Sequence, residues 1–113
     1  MGNHVVFNNC EGAFSLSPEA VRWLADRGVK RAWDLIEEIG FTTLHIITVD
    51  ESMIGLTRHS PILALCVQEL GEKASGEMSS LEVVEIKSHK YLIRNINGIE
   101  TVLTPETMNW VVI

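Results

Sequence analysis

TRHSPILALCVQELG, residues 57–71, decides how the rest of the chain is read. Ser60 stands where a helix N-cap belongs, Pro61 at the first helical position, and Gly71 at the far end. At about 100° per residue, Ile62, Leu63, Cys66, Val67 and Leu70 share one apolar face, with Glu69 on its edge. The spacing predicts a helix over 61–70. Arg58 and His59 precede its N-terminus, where free amides and the helix dipole favour an anion.

Beyond this helix the pattern changes period. EKASGEMSS is small and polar and reads as a connection. LEVVEIK (81–87), YLIRNI (91–96) and IETVLT (99–104) then predict a three-stranded antiparallel meander over 81–104. Asn97-Gly98, between two isoleucines, is the sequence of a two-residue type I′ hairpin, which needs positive φ twice. That turn sets a register in which Ile96 opposes Ile99, Asn95 opposes Glu100, Arg94 opposes Thr101 and Ile93 opposes Val102. One face then carries Tyr91, Ile93, Asn95, Glu100 and Val102; the other carries Leu92, Arg94, Ile96, Ile99 and Leu103. Neither face is polar, so each needs a cover. The tail TMNWVVI is expected to dock, with Trp110 as anchor.

Towards the N-terminus, HVVFNN at 4–9 predicts a strand, and Ser17-Pro18-Glu19 opens a helix that runs over 18–27 to Gly28. Its buried face is Ala20, Val21, Leu24 and Ala25, which leaves Trp23 on the opposite side, packed under a loop or at an interface. A second helix over 31–39 buries Ala32, Leu35, Ile36 and Ile39 and ends at Gly40. TTLHIITV at 42–49 is dense in β-branched residues and predicts a further strand. The expected class is α+β, as a single domain over 1–113.

Composition narrows the function. Hydrophobic residues make up 46% of the chain and charged residues 21%, which fits a folded core and argues against disorder. A formal charge of −6 disfavours binding of nucleic acid through its phosphates. The start, MGNHVVFNNC, has no basic region followed by a long apolar run, so no signal peptide is expected, and no stretch suits a membrane span. Cys10 and Cys66 are the only cysteines, and Cys66 faces the helix core, which points to a reducing compartment.

Motifs of catalysis and cofactor binding are missing. The glycines assemble neither a dinucleotide fingerprint nor a P-loop, and the four histidines lack zinc spacing, so no catalytic residue, cofactor or metal is expected. What remains is a set suited to binding. Arg58, His59 and Arg94 offer cations, Tyr91 and Trp110 offer rings, and Glu69, Asn95 and Glu100 offer polar contacts to a base or ribose. A structural reading stays open beside it: Arg58 caps a loop, Arg94 pairs with Glu85 or Glu100, and Trp110 is core.

The order RHSPILALCVQELGEKASG (58–76), SxLEVVEI (79–86), YLI (91–93), NGIETV (97–102), Thr104-Pro105 and Trp110 resembles a family of short proteins of tailed phages and large DNA viruses. The shared pattern is R-x-D-P-x-L, E-E-L-G, A-x-G, L-x-V-V-E-I and a hairpin with D-G-x-E; here Ser60 and Asn97 replace two of its acids. The resemblance implies a phage accessory protein working in the cytoplasm of the infected bacterial host, and it assigns no mechanism. The expectation drawn from it is an anti-defence protein that sequesters a nucleotide-derived immune signal without catalysis, and the apolar groups on second faces (Trp23, both sides of the meander and the tail) add the expectation of a homo-oligomer. The alternatives are a protein–protein interaction module that inhibits a host defence protein, and a small nucleotide hydrolase.

Overall fold

A computed structural model describes residues 3–105, which fold into three helices and four antiparallel strands in two small sheets, an α+β fold. The order is β1 (Asn3–Asn8), α1 (Pro18–Asp26), α2 (Lys30–Ile39), α3 (Pro61–Leu70), β2 (Leu81–Ile86), β3 (Leu92–Ile96) and β4 (Ile99–Leu103). Helix α1 packs on α2 and α3, and α3 packs on β1 and β2. Between them Val6, Leu16, Val21, Leu24, Leu44, Val49, Ile54, Leu63 and Cys66 form the core.

Helices α1 and α3 start where their caps predict, whereas α2 begins at Lys30 without a side-chain cap. Ser17 Oγ accepts from the Ala20 amide at 3.0 Å, closing the first turn of α1. Ser60 occupies the N-cap position of α3, but its hydroxyl turns back to accept from the Thr57 amide at 2.9 Å and makes no bond to the helix. Trp23 is half-buried against the core, and the Arg27 guanidinium lies over its ring at 3.6 Å. That stack shields the ring from water within its own helix.

Two expectations about strands fail. The run 42–49 is not a strand: Thr43–His45 form a 3-10 turn, and only Leu44 and Val49 of the run are buried. β-Branched composition suits any half-buried extended segment, and here no strand lies alongside to make a ladder. One backbone bond, from the Leu16 amide to the Val49 carbonyl at 2.8 Å, ties the segment down. The three-stranded meander also divides. β2 pairs with β1, antiparallel from Asn3 opposite Ile86 to Asn8 opposite Leu81, and β3 pairs only with β4. The five-residue link between β2 and β3 carries no two-residue turn signal to fix a register, whereas β1 offers β2 a Val5–Val84 pair and a His4–Glu85 contact of 3.5 Å.

The β3–β4 hairpin keeps the predicted register, Ile96 opposite Ile99 through Leu92 opposite Leu103. Asn97 and Gly98 have φ of 54° and 92°, as a type I′ turn demands. Leu92, Ile96 and Ile99 are exposed on its outward face. Its tip is pressed against the chain after β1: a side chain at Gly98 would overlap the Gly12 backbone. The tail with Trp110 lies outside the described residues.

Gly28 has nearly the same φ as Gly98, 91°, and a Cβ placed on it would meet nothing within 4 Å. Gly28→Ala should therefore cost only the backbone strain, about 1 kcal/mol. Gly98→Ala should cost clearly more in denaturant unfolding, because the hairpin must lift off Gly12. Equal losses would show that the tip contact contributes nothing.

Candidate functional site

Arg58 leaves the loop before α3 and enters the interior rather than solvent; its side chain is 15% exposed. Its Nη1 and Nη2 donate to Glu100 Oε1 and Oε2 at 2.6 and 3.0 Å, a forked pair. Glu100 is brought there by the hairpin register, and its Oε1 also accepts from the Asn8 amide at 2.8 Å. Arg58 Nε lies 2.9 Å from Glu51 Oε1, an ion pair whose angle falls outside hydrogen-bond geometry. Arg58 Nε and Glu51 Oε2 are thus buried atoms without a hydrogen-bond partner among the described residues. The guanidinium lies 3.7 Å over the Phe14 ring. Burial works against its charge, but hydrogen bonding to Glu100 and the charges of both carboxylates outweigh burial and raise its pKa.

Around this pair the backbone closes. The Val6 amide donates to the Arg58 carbonyl at 2.8 Å, and Asn8 uses its whole side chain. Its Nδ2 donates to the Cys10 and Gly98 carbonyls, and its Oδ1 accepts from Ser79 Oγ and the Ser80 amide. A fully buried asparagine with every valence filled fixes three loops at one point.

His59, the next residue, points elsewhere. Its Nδ1 lies 2.8 Å from Tyr91 Oη, with the two rings edge to face at 5.6 Å. Burial pushes the phenol pKa up, the Arg58 charge draws it partly back, and Glu51 adds to the rise. The phenol therefore stays protonated at neutral pH, and one hydrogen bond joins it to His59 Nδ1. Together with Asn3, Ile86, Ser88 and His89 these two residues line a cavity of about 250 Å³. Ser88 and His89 belong to the link KSHK, residues 87–90, which carries two lysines.

The predicted contacts thus separate. Arg58 and Glu100 meet each other in the interior, and His59 and Tyr91 meet at the cavity. Glu69 is exposed on α3, Arg94 is exposed on the outward face of the hairpin opposite Thr101, and Trp110 lies outside the described residues. Sequence reading passed over Glu51, Phe14, Asn8, Asn3 and His89. An asparagine inside a β-branched strand was the one available signal for Asn8, since strands disfavour it unless its side chain is used. No group of three or more His, Cys, Asp or Glu able to hold a metal occurs among the described residues. No helix there is long and apolar enough to cross a membrane.

Cys66 is buried beside the Ala20 carbonyl, and burial pushes its thiol up to about 12 against the opposing charge of Arg27. A raised thiol pKa means the protein's stability from this group is full below about pH 9 and lost as the pH climbs through about 12. Cys66→Ala should flatten that alkaline slope in unfolding measurements, at the expense of some core packing; an unchanged slope would show that Cys66 does not ionise in this range.

Removing one member of the interior ion pair should be costly. Arg58→Ala and Glu100→Ala should each lose about 3–5 kcal/mol, because each strands a buried charge. Arg58→Met combined with Glu100→Gln should lose far less than the sum. Additive losses in chemical denaturation would mean the two side chains act independently.

No family model matches the chain, and neither curated proteins nor solved structures give a match.

Proposed function

We propose that this chain is a binding protein without catalysis, and that it holds one end of a small nucleotide-derived anion in the cavity between His59, His89 and Tyr91. The observation that supports this is the company these residues keep. Two imidazoles, a protonated phenol, the Ser88 hydroxyl and the Asn3 amide line one small cavity beside a basic link, in a chain whose net charge is −6. The imidazoles, the Ser88 hydroxyl and the Asn3 amide can donate hydrogen bonds to phosphate or carboxylate oxygens, and the Tyr91 ring offers a face to a base. The cavity lies just below the ~300 Å³ at which drug-sized sites begin, so it suits a phosphate or a base, with the remainder of the ligand at the surface.

This reading moves the anion away from Arg58. A phosphate there would have to displace two carboxylates from a guanidinium that is already satisfied on its forked side. The resemblance to a phage family supports the wider expectation: an accessory protein that removes a host immune signal in the cytoplasm of the infected bacterium. The exposed apolar face of the hairpin supports self-association, most simply as a dimer.

Incubation with a panel of cyclic nucleotides and ADP-ribose derivatives, followed by heat release and chromatography, tests the reading. Intact recovery of one compound is expected; a changed product would make the protein a hydrolase, and no uptake would leave the interaction module. His59→Ala and Tyr91→Phe should each weaken uptake about tenfold, near 1.4 kcal/mol, with melting temperature nearly unchanged because both side chains reach the surface. Undiminished uptake in both variants would place the ligand elsewhere.

A further inference from the structure

A second, larger cavity shares no lining residue with the one beside His59. It measures about 470 Å³ and opens between two stretches of backbone, residues 44–48 and 75–78, over a floor that includes Ser15 and Leu16. Three independent features meet there. First, its rim holds Ile46 and Met78, which are 84% and 70% exposed, the two most exposed large apolar side chains among the described residues. Burial would stabilise both, yet the fold leaves them in water.

Second, Met78 has φ of 61°, one of two non-glycine residues with positive φ among those described. The other, Asn97, is a residue type that tolerates this conformation in a turn; methionine is not, and its side chain gains no packing in return. The strain is held from below. A side chain at Gly12 would overlap the Met78 carbonyl, and Gly12 itself rests on Gly98 of the hairpin tip. The Met78 backbone thus sits close on Gly12, which in turn sits close on Gly98, while the Met78 side chain stays exposed. Third, the charged residues lining the cavity are Glu19 and Glu77, with His45 as the one other titratable group and no lysine or arginine.

We propose that this groove docks a segment of a partner protein that presents an apolar side chain next to a lysine or arginine. The apolar side chain covers Ile46 and Met78, and the cation lies between Glu19 and Glu77. The groove's volume is within the range of sites that enclose small ligands, enough for one or two side chains of such a segment. Its acids suit a cation, and the same acids repel the anion proposed for the His59 cavity, so the two surfaces are independent.

The ¹⁵N-labelled protein titrated with acetyl-Leu-Arg-amide and with acetyl-Leu-Glu-amide provides the test. The arginyl peptide should shift the amides of Ile46, Ile47, Gly76 and Met78 and bind about fivefold more tightly than the glutamyl peptide. Glu77→Lys should erase or reverse that preference. Met78→Gly should raise the melting temperature, because glycine accepts the positive φ, while weakening the arginyl peptide about fivefold. Stability and binding moving in opposite directions is a result that a merely structural Met78 would not give. Shifts confined to the His59 cavity, equal affinity for the two peptides, or Met78→Gly binding as well as the parent would each overturn the proposal.

Discussion

The interior pair of Arg58 and Glu100 is the contact on which the arrangement of the two sheets depends. β1 has two edges, and β2 covers only one. On the other, the Val6 amide finds the Arg58 carbonyl and the Asn8 amide finds the Glu100 carboxylate, so a side-chain pair does the work of a neighbouring strand. This is how β4 comes to lie against β1 without forming a ladder with it. A buried ion pair adds little net stability compared with an apolar substitute, but it is intolerant of misplacement. Only one position of the hairpin lets Glu100 reach both the guanidinium and the amide, and Asn8 checks the same position from the other side by bonding to Gly98. The tip then seats on Gly12 with no room for a side chain between.

What could be read from the sequence follows the range of the signal. The Asn97-Gly98 hairpin and its register are fixed by two adjacent residues and their φ angles, and they are found as read. Helix α3 is bounded by Pro61 and Gly71 and patterned by its own periodicity, again a local matter. The pairing of β2 is different, because the preference of Val84 for Val5 over a residue of β3 depends on a strand at the other end of the chain. Residues 42–49 misled for a related reason: β-branched residues announce an extended, half-buried segment but not whether a partner strand exists.

The site residues divide in the same way. Residue chemistry marked Arg58 and Glu100 as able to bind a charged ligand, and each does bind a charged group, namely the other, 42 residues away. Sequence supplies the capacity of a side chain and is silent on which of several oppositely charged residues will satisfy it. His59 and Tyr91 were marked for the same kind of chemistry and come together 32 residues apart at a surface cavity. The exposure that separates these two pairs is a property of packing, and it decides which pair is free to serve a ligand.

The pairing of β1 with β2 also governs the order in which the chain can assemble during synthesis. β1 leaves the ribosome well before the segments that secure it: its ladder partner spans residues 81–86 and the carboxylate that caps its second edge is residue 100. Until then Val5 and Val6 sit on a short apolar strand with both edges open. Helices α1, α2 and α3 can form in the meantime from local contacts, but the sheet on which α3 packs closes only once nearly all of the described chain is present. Strand β1 is made before both of its partners and secured last, so a nascent chain stalled before residue 81 exposes a ready template for wrong pairing.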